Sequence, residues 1–166
     1  LRINRKNFRF MGHTALMIGS SKECIQDYNE YVFDEESLND ISSMLTKHNK
    51  LLLQELQDIK TGKNLNFVLC TNAPEKYCKR VFDELNIDYD DFFSRTFTSC
   101  NTNHVKPMIQ YFDTIESQLP AHYHFIDDSL LNTMAIAQNP KWDVHCITRP
   151  HHLKEHLNYI AKITTK

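Results

Sequence analysis

Short apolar runs alternate with longer stretches of helical spacing along most of the chain. Three runs are too short for helices and rich in strand formers, which predicts buried strands; they span residues 67–70, 123–126 and 143–148. Five stretches repeat apolar residues at helical spacing, and they span 45–59, 75–85, 107–119, 129–137 and 150–163. Strands and helices that alternate at these lengths predict an α/β protein with a parallel sheet.

The residues between these stretches indicate where the predicted helices begin and end. Residues 60–63 contain Gly62, which predicts the end of the first long helix there because glycine adopts the left-handed conformation at little cost. Residues 90–97 predict a loop and a short strand, and residues 101–104 predict a polar loop. Pro107 suits a first helical turn, so the following helix is predicted to begin at that residue.

Composition narrows the class of protein and its partners. The chain has 166 residues, 41% hydrophobic and 24% charged, which predicts one soluble globular unit. A net charge of −2 gives no reason to expect a nucleic acid, and no apolar run approaches the ~20 residues that span a bilayer. Three glycines are too few for a glycine-rich phosphate loop. Composition therefore gives no reason to expect a nucleic acid or a membrane as the partner; the resemblance described below implies other protein subunits.

The cysteines and the N-terminal segment bear on the compartment. Five widely spaced cysteines without a Cys-x-x-Cys pair predict reduced thiols in an intracellular, reducing compartment. Residues 1–22 carry five basic side chains and no acidic one. This composition resembles a remnant of an organellar targeting segment, which predicts a mitochondrial location. A basic surface strip on a cytoplasmic protein is the alternative interpretation.

Polar side chains follow the predicted strands at their carboxyl ends. They are Thr71, Asn72, Lys106, Asp127, Asp128 and Asn132. A hydroxyl and a lysine can hold a phosphate, and a carboxylate pair can hold Mg²⁺, which takes oxygen ligands. Together these residues predict a pocket for magnesium-assisted phosphoryl transfer. Each also has a structural alternative, because threonine and aspartate commonly cap the next helix.

The order of these motifs resembles the haloacid dehalogenase superfamily over residues 10–148, in its pyrimidine 5′-nucleotidase-like branch. Three segments carry the resemblance: Leu69-Cys70-Thr71-Asn72-Ala73, Lys106-Pro107 and Phe125-Ile126-Asp127-Asp128-Ser129-Leu130-Leu131-Asn132. The resemblance implies a Rossmann-like three-layer parallel sheet. It also implies a remnant helical cap over residues 1–60 and a core over residues 61–166.

The same resemblance implies roles for individual residues. Thr71 and Asn72 would bind phosphate, and Lys106 would bridge the phosphate and the nucleophile. Asp128 would ligate Mg²⁺, with Asp127 and Asn132 supporting it.

The family's first motif, an apolar strand that ends in Asp-x-Asp, is not recognisable before Thr71. In the family its first aspartate attacks phosphorus and its second is the general acid and base. The one Asp-x-Asp, Asp88-Tyr89-Asp90, follows Thr71 and predicts a turn. Residues 12–17 resemble the family's cap helix, so the chain is expected to begin inside the cap.

Two segments are weighed as substitutes for the first motif. Residues 15–21 resemble the first-motif strand with its aspartates replaced by Gly19 and Ser21, and Gly19 has no side chain to attack phosphorus. Residues 31–37 mimic the motif with Asp34 as candidate nucleophile and Glu36 as acid and base. If the motif strand is lost, two interior strand edges would carry unpaired backbone groups, which residues 15–18 or another chain would have to cover.

These observations favour a catalytically inactive domain of this superfamily, retained as a structural or interaction subunit of a larger assembly and needing no cofactor. The acid-free N-terminal segment makes a mitochondrial assembly the expected one. The alternative is a magnesium-dependent nucleotidase or phosphatase whose nucleophile motif lies upstream of Leu1 or on another chain.

Overall fold

The computed structural model describes residues 41, 45, 47–119 and 122–164. Within these residues seven helices and four strands alternate. The helices are α1 (Lys47–Lys63), α2 (Glu75–Glu84), α3 (Tyr89–Phe92), α4 (Ser99–Thr102), α5 (Ile109–Gln118), α6 (Leu130–Ile136) and α7 (Pro150–Thr164). The strands are β1 (Val68–Cys70), β2 (Arg95–Phe97), β3 (Tyr123–Asp127) and β4 (Trp142–Cys146). The predicted order of the four strands and the five longer helices is confirmed, whereas the short helices α3 and α4 were not predicted.

The strands form two parallel pairs. β1 pairs with β2, with Val68 opposite Arg95 and Cys70 opposite Phe97. β3 pairs with β4, with Asp127 opposite Cys146 at the carboxyl end. Parallel neighbours need a crossover connection, which α2 and α3 supply between β1 and β2 and α6 supplies between β3 and β4.

The predicted three-layer parallel sheet of Rossmann type is wrong for the part of the chain that the structure describes. This part contains two separate two-stranded sheets instead of one continuous sheet. The physical reason is that β1 and β3 each pair along one edge, and no described strand joins their other edges. The predicted helical cap falls largely on residues 1–40, which lie outside the described residues, and the predicted boundary after residue 60 stays a prediction.

Two apolar clusters hold the elements together. In the first, the stripe of Tyr111, Phe112 and Ile115 on α5 packs on Phe125 of β3 and Trp142 of β4. The rings of Phe112 and Phe125 lie 5.4 Å apart at 88°, the edge-to-face arrangement that aromatic pairs prefer.

The second cluster joins α1, α2, α3 and α7. Its buried members include Leu56, Phe82, Phe92 and Leu157. The surface pair Lys154–Glu55, at 3.0 Å, also links α7 to α1.

Several element ends differ from the sequence prediction. α1 runs through Gly62 to Lys63, and Asn64 takes the left-handed conformation at φ 50°, which asparagine tolerates better than most residues. The predicted polar loop at 101–104 overlaps the short helix α4, and the helix predicted from Pro107 begins at Ile109. The predicted turn at 88–90 is the start of α3, where Asp88 Oδ1 accepts hydrogen bonds from the next turn's backbone amides.

Candidate functional site

The carboxyl end of β1 is held by Thr71 and Asn72. The amide of Thr71 donates to Phe97 O at 2.9 Å and so continues the ladder beyond β1. Its Oγ1 accepts from the amide of Ala73 at 3.1 Å, which stabilises the turn into α2. The side chain of Asn72 pairs with both backbone groups of Lys106: Nδ2 donates to O at 2.9 Å, and Oδ1 accepts from N at 2.8 Å. Asn72 therefore fixes Lys106 beside the end of β1.

Lys106 joins the two sheets at their carboxyl ends. Its Nζ donates to Cys70 O of β1 at 2.8 Å and to Asp127 Oδ2 of β3 at 2.5 Å. The side chains of Lys106 and Asp127 are 10% and 5% exposed, so this ion pair is buried. Burial of an ammonium requires such compensation, because a lone charge in a protein interior is strongly unfavourable.

Asp127 is the second centre of this arrangement. Its Oδ1 accepts from the amide of Ser129 at 2.8 Å and from Asn132 Nδ2 at 3.0 Å, while Oδ2 accepts from Lys106. Ser129 also caps α6. We call the set Asn72, Lys106, Asp127, Ser129 and Asn132 the strand-end network.

The structure thus brings four of the predicted site residues into one network: Asn72, Lys106, Asp127 and Asn132. Thr71 adjoins the network in the chain, and Asp128 lies exposed next to Asp127. Asp34 lies outside the described residues. The phosphate and nucleophile roles of these residues stay predictions.

Mg²⁺ requires oxygen ligands in a near-octahedral arrangement. Both oxygens of Asp127 accept hydrogen bonds from other residues of the chain, and Asn132 Nδ2 donates one of them. Among the described residues, no group of three or more histidine, cysteine or acidic side chains could hold a metal ion. The metal role of Asp127, Asp128 and Asn132 stays a prediction.

Cys70 lies between the strand-end network and the core. Burial raises the pKa of its thiol to about 12, and the nearby charge of Lys106 offsets this only in part. A thiol with so high a pKa stays protonated at neutral pH and is a poor nucleophile. Burial likewise raises the pKa of Tyr111, whose hydroxyl donates to Phe97 O at 2.7 Å. Both side chains therefore serve packing.

A histidine cluster on the β3–β4 pair was not predicted from the sequence. His124 Nδ1 lies 3.2 Å from His145 Nε2, and His122 Nε2 lies 2.9 Å from Asp143 Oδ2. Burial lowers the pKa of both His124 and His145. The available signal was the period-two spacing 122, 124 and 143, 145, which puts these side chains on one sheet face when the strands pair in this register.

The structure also contains a large cleft that was not predicted from the sequence. It encloses about 1030 Å³ between the two sheets and is lined by β1 and β3, with walls of apolar side chains from α1, α5 and α7. We call it the inter-strand cleft. The sequence analysis predicted unpaired interior strand edges at this place in the fold.

Comparison with known proteins gives no assignment: no family model, no curated protein and no solved structure matches the chain. The resemblance to the haloacid dehalogenase superfamily therefore stays a prediction that rests on its three motifs. No helix in the described part of the chain is long and apolar enough to cross a membrane.

Proposed function

We propose that the chain is a catalytically inactive domain resembling the haloacid dehalogenases, and that it serves as a structural or interaction subunit of a larger assembly. The observation that carries this proposal is the closure of the strand-end network on itself. Asp127 accepts three hydrogen bonds from Lys106, Ser129 and Asn132, so its carboxylate already has partners on both oxygens.

The energetics of Lys106 favour the same conclusion. Two of the three N–H donors of its ammonium are directed at Cys70 O and Asp127 Oδ2, which ties two strand ends together. Removing either member of this buried ion pair would cost about 3–5 kcal/mol, because the other charge would stay behind uncompensated. A structural role therefore accounts for these contacts of Lys106.

Exposed apolar side chains support a role in protein contacts. Leu130 and Met134 of α6 are 62% and 64% exposed, and Leu131 beside them is 42% exposed. Adjacent exposed apolar side chains commonly mark a surface that another protein covers. The location of such an assembly, mitochondrial or cytoplasmic, stays a prediction from composition.

The test is a phosphate-release assay. The purified chain is incubated with Mg²⁺ and a panel of nucleoside monophosphates, beside an Asp128→Asn variant as the matched control. We expect equal, background release from both proteins. Release by the parent chain that the substitution removes would overturn the proposal.

The second candidate is a magnesium-dependent nucleotidase or phosphatase. The observation in its favour is that Asn72, Lys106, Asp127 and Asn132 share one network at the carboxyl ends of β1 and β3, where α/β proteins bind ligands. This candidate needs a nucleophile from upstream of Leu1 or from another chain, and Mg²⁺ as cofactor. Loss of phosphate release in the Asp128→Asn variant is the result that would select it.

A further inference from the structure

Helix α7 contacts the histidine cluster of the β3–β4 pair. The ring centroids of His156 on α7 and His145 on β4 lie 5.4 Å apart. His145 Nε2 in turn lies 3.2 Å from Nδ1 of His124 on β3. All three side chains are half-buried. His145 therefore contacts two other histidines, one on the neighbouring strand and one on the helix.

Asp143 supplies the carboxylate that faces the strand histidines. Its Oδ2 lies 2.9 Å from His122 Nε2 and 3.7 Å from His124 Nδ1. Both of these contacts are with β3, and the side chain of Asp143 is half-exposed. The effect of Asp143 on His145 is weaker than the opposing effects of His124 and His156. A positive charge on His145 is therefore poorly compensated.

The contact between His124 and His145 depends on a neutral ring. A hydrogen bond between two imidazoles needs an N–H on one ring and a bare nitrogen on the other. Protonation of both rings removes the bare nitrogen and leaves two cations face to face. Burial lowers the pKa of both rings, which is the direction expected for side chains that are neutral in the folded protein.

The other contacts of α7 are apolar or exposed. Leu157 and Ile160 are buried, and Leu157 belongs to the second apolar cluster. The charged pair Lys154–Glu55 links α7 to α1 at 3.0 Å, but both side chains are 47% exposed, and such pairs contribute little. Apolar contacts carry no proton, so a response of α7 to pH near 6.5 has to come from histidines.

We propose that the contacts of His145 with His124 and His156 make the docking of α7 sensitive to pH, so that α7 is held at neutral pH and opens locally in acid. Opening removes His156 from His145, and His145 then takes up a proton more easily. Because the pKa of His145 is lowered while α7 is docked, the open form binds more protons below ~6.5 and becomes more populated as pH falls. The inference is independent of the proposed function, since it needs no partner.

Hydrogen exchange of the full chain, measured by mass spectrometry at about pH 7.5 and pH 5.5, tests this inference. Protection factors are compared, because they correct for the pH dependence of the exchange reaction itself. A histidine that takes up its proton only in the open form favours opening up to about tenfold at one pH unit below 6.5. We therefore expect the protection of residues 150–164 to fall about tenfold, and that of residues 109–118 in α5 to fall less than about twofold.

Two substitutions within the cluster test which side chains are responsible. His145→Phe keeps an aromatic ring but cannot take up a proton, so the fall in α7 protection should shrink to less than about twofold. His156→Gln removes the helix histidine alone and should reduce the fall to about threefold, and it serves also if His145→Phe does not fold. The matched control is His104→Phe, which removes a histidine that follows α4 and makes none of these contacts; it should keep the full tenfold fall.

Three results would overturn the proposal. The first is equal protection of α7 at both pH values in the parent chain. The second is an equal loss of protection in α5, because the whole chain and not α7 would then be opening. The third is an undiminished fall in the variants at His145 and His156, since the pH response would then come from other groups.

Discussion

Replacement of Lys106 by methionine is expected to destabilise the chain by about 3 kcal/mol. The substitution keeps an apolar stem of similar length but removes the ammonium that contacts Asp127 and Cys70 O. Loss of one partner of a buried ion pair costs ~3–5 kcal/mol. We take the lower end because Asp127 keeps its hydrogen bonds from Ser129 and Asn132. Side-chain exposures of 10% and 5% leave little solvent to screen the loss.

Urea unfolding measures this effect through the fluorescence of Trp142, which is buried in the first apolar cluster. At a slope of ~2 kcal/mol per molar urea, the midpoint should fall by about 1.5 M. The matched control is Lys79→Met, which makes the same substitution in an exposed pair with Glu75, 44% and 41% exposed. Exposed pairs at this helical spacing contribute only about 0.3–0.5 kcal/mol.

The double variant Lys106→Met/Asp127→Asn isolates the role of charge. It should be more stable than Lys106→Met alone by about 1–2 kcal/mol, because no uncompensated charge is left inside. The reasoning is refuted if Lys106→Met costs no more than Lys79→Met. It is also refuted if the second substitution restores nothing, since hydrogen-bond geometry and not charge would then explain the loss.

Three further predictions follow from the pKa shifts of groups outside the strand-end network. Burial lowers the pKa of His145. Its contribution to stability is therefore present above ~6.5, the pKa of an unfolded histidine, and is lost as pH falls below that value. In urea unfolding, His145→Phe should reduce the loss of stability between about pH 7 and pH 5. Burial opposes ionisation of Glu116, but hydrogen bonds, led by the one from Trp142, outweigh burial and lower the pKa of Glu116. The stability that this carboxylate contributes is present above pH ~4.3, the pKa of an unfolded glutamate, and is lost as pH falls below that value. Glu116→Gln should therefore make stability fall less steeply with pH in acid. Cys70, with its pKa raised to about 12, should react with iodoacetamide near pH 8 at least roughly a hundredfold more slowly than the exposed Cys100. Mass spectrometry of the alkylated chain measures both rates, and equal rates would contradict the raised pKa of the Cys70 thiol.

The order of elements was predictable because local signals determine it. The apolar runs at 67–70 and 123–126 are too short for helices and end in polar turn residues, and both contain strands. The meeting of Asn72, Lys106 and Asp127 was predictable in outline, since each follows a strand or precedes a helix at the same end of the fold.

The pairing of the strands was not predictable, because it depends on contacts between distant parts of the chain. The sequence pattern alone favoured one continuous sheet, whereas the described strands pair two by two. The same limit explains the histidine cluster, which exists only because His124 stands opposite Asp143 in the β3–β4 register. The prediction of where α1 ends was wrong for a local reason. Both Gly62 and Asn64 can take the left-handed conformation, and Asn64 does so.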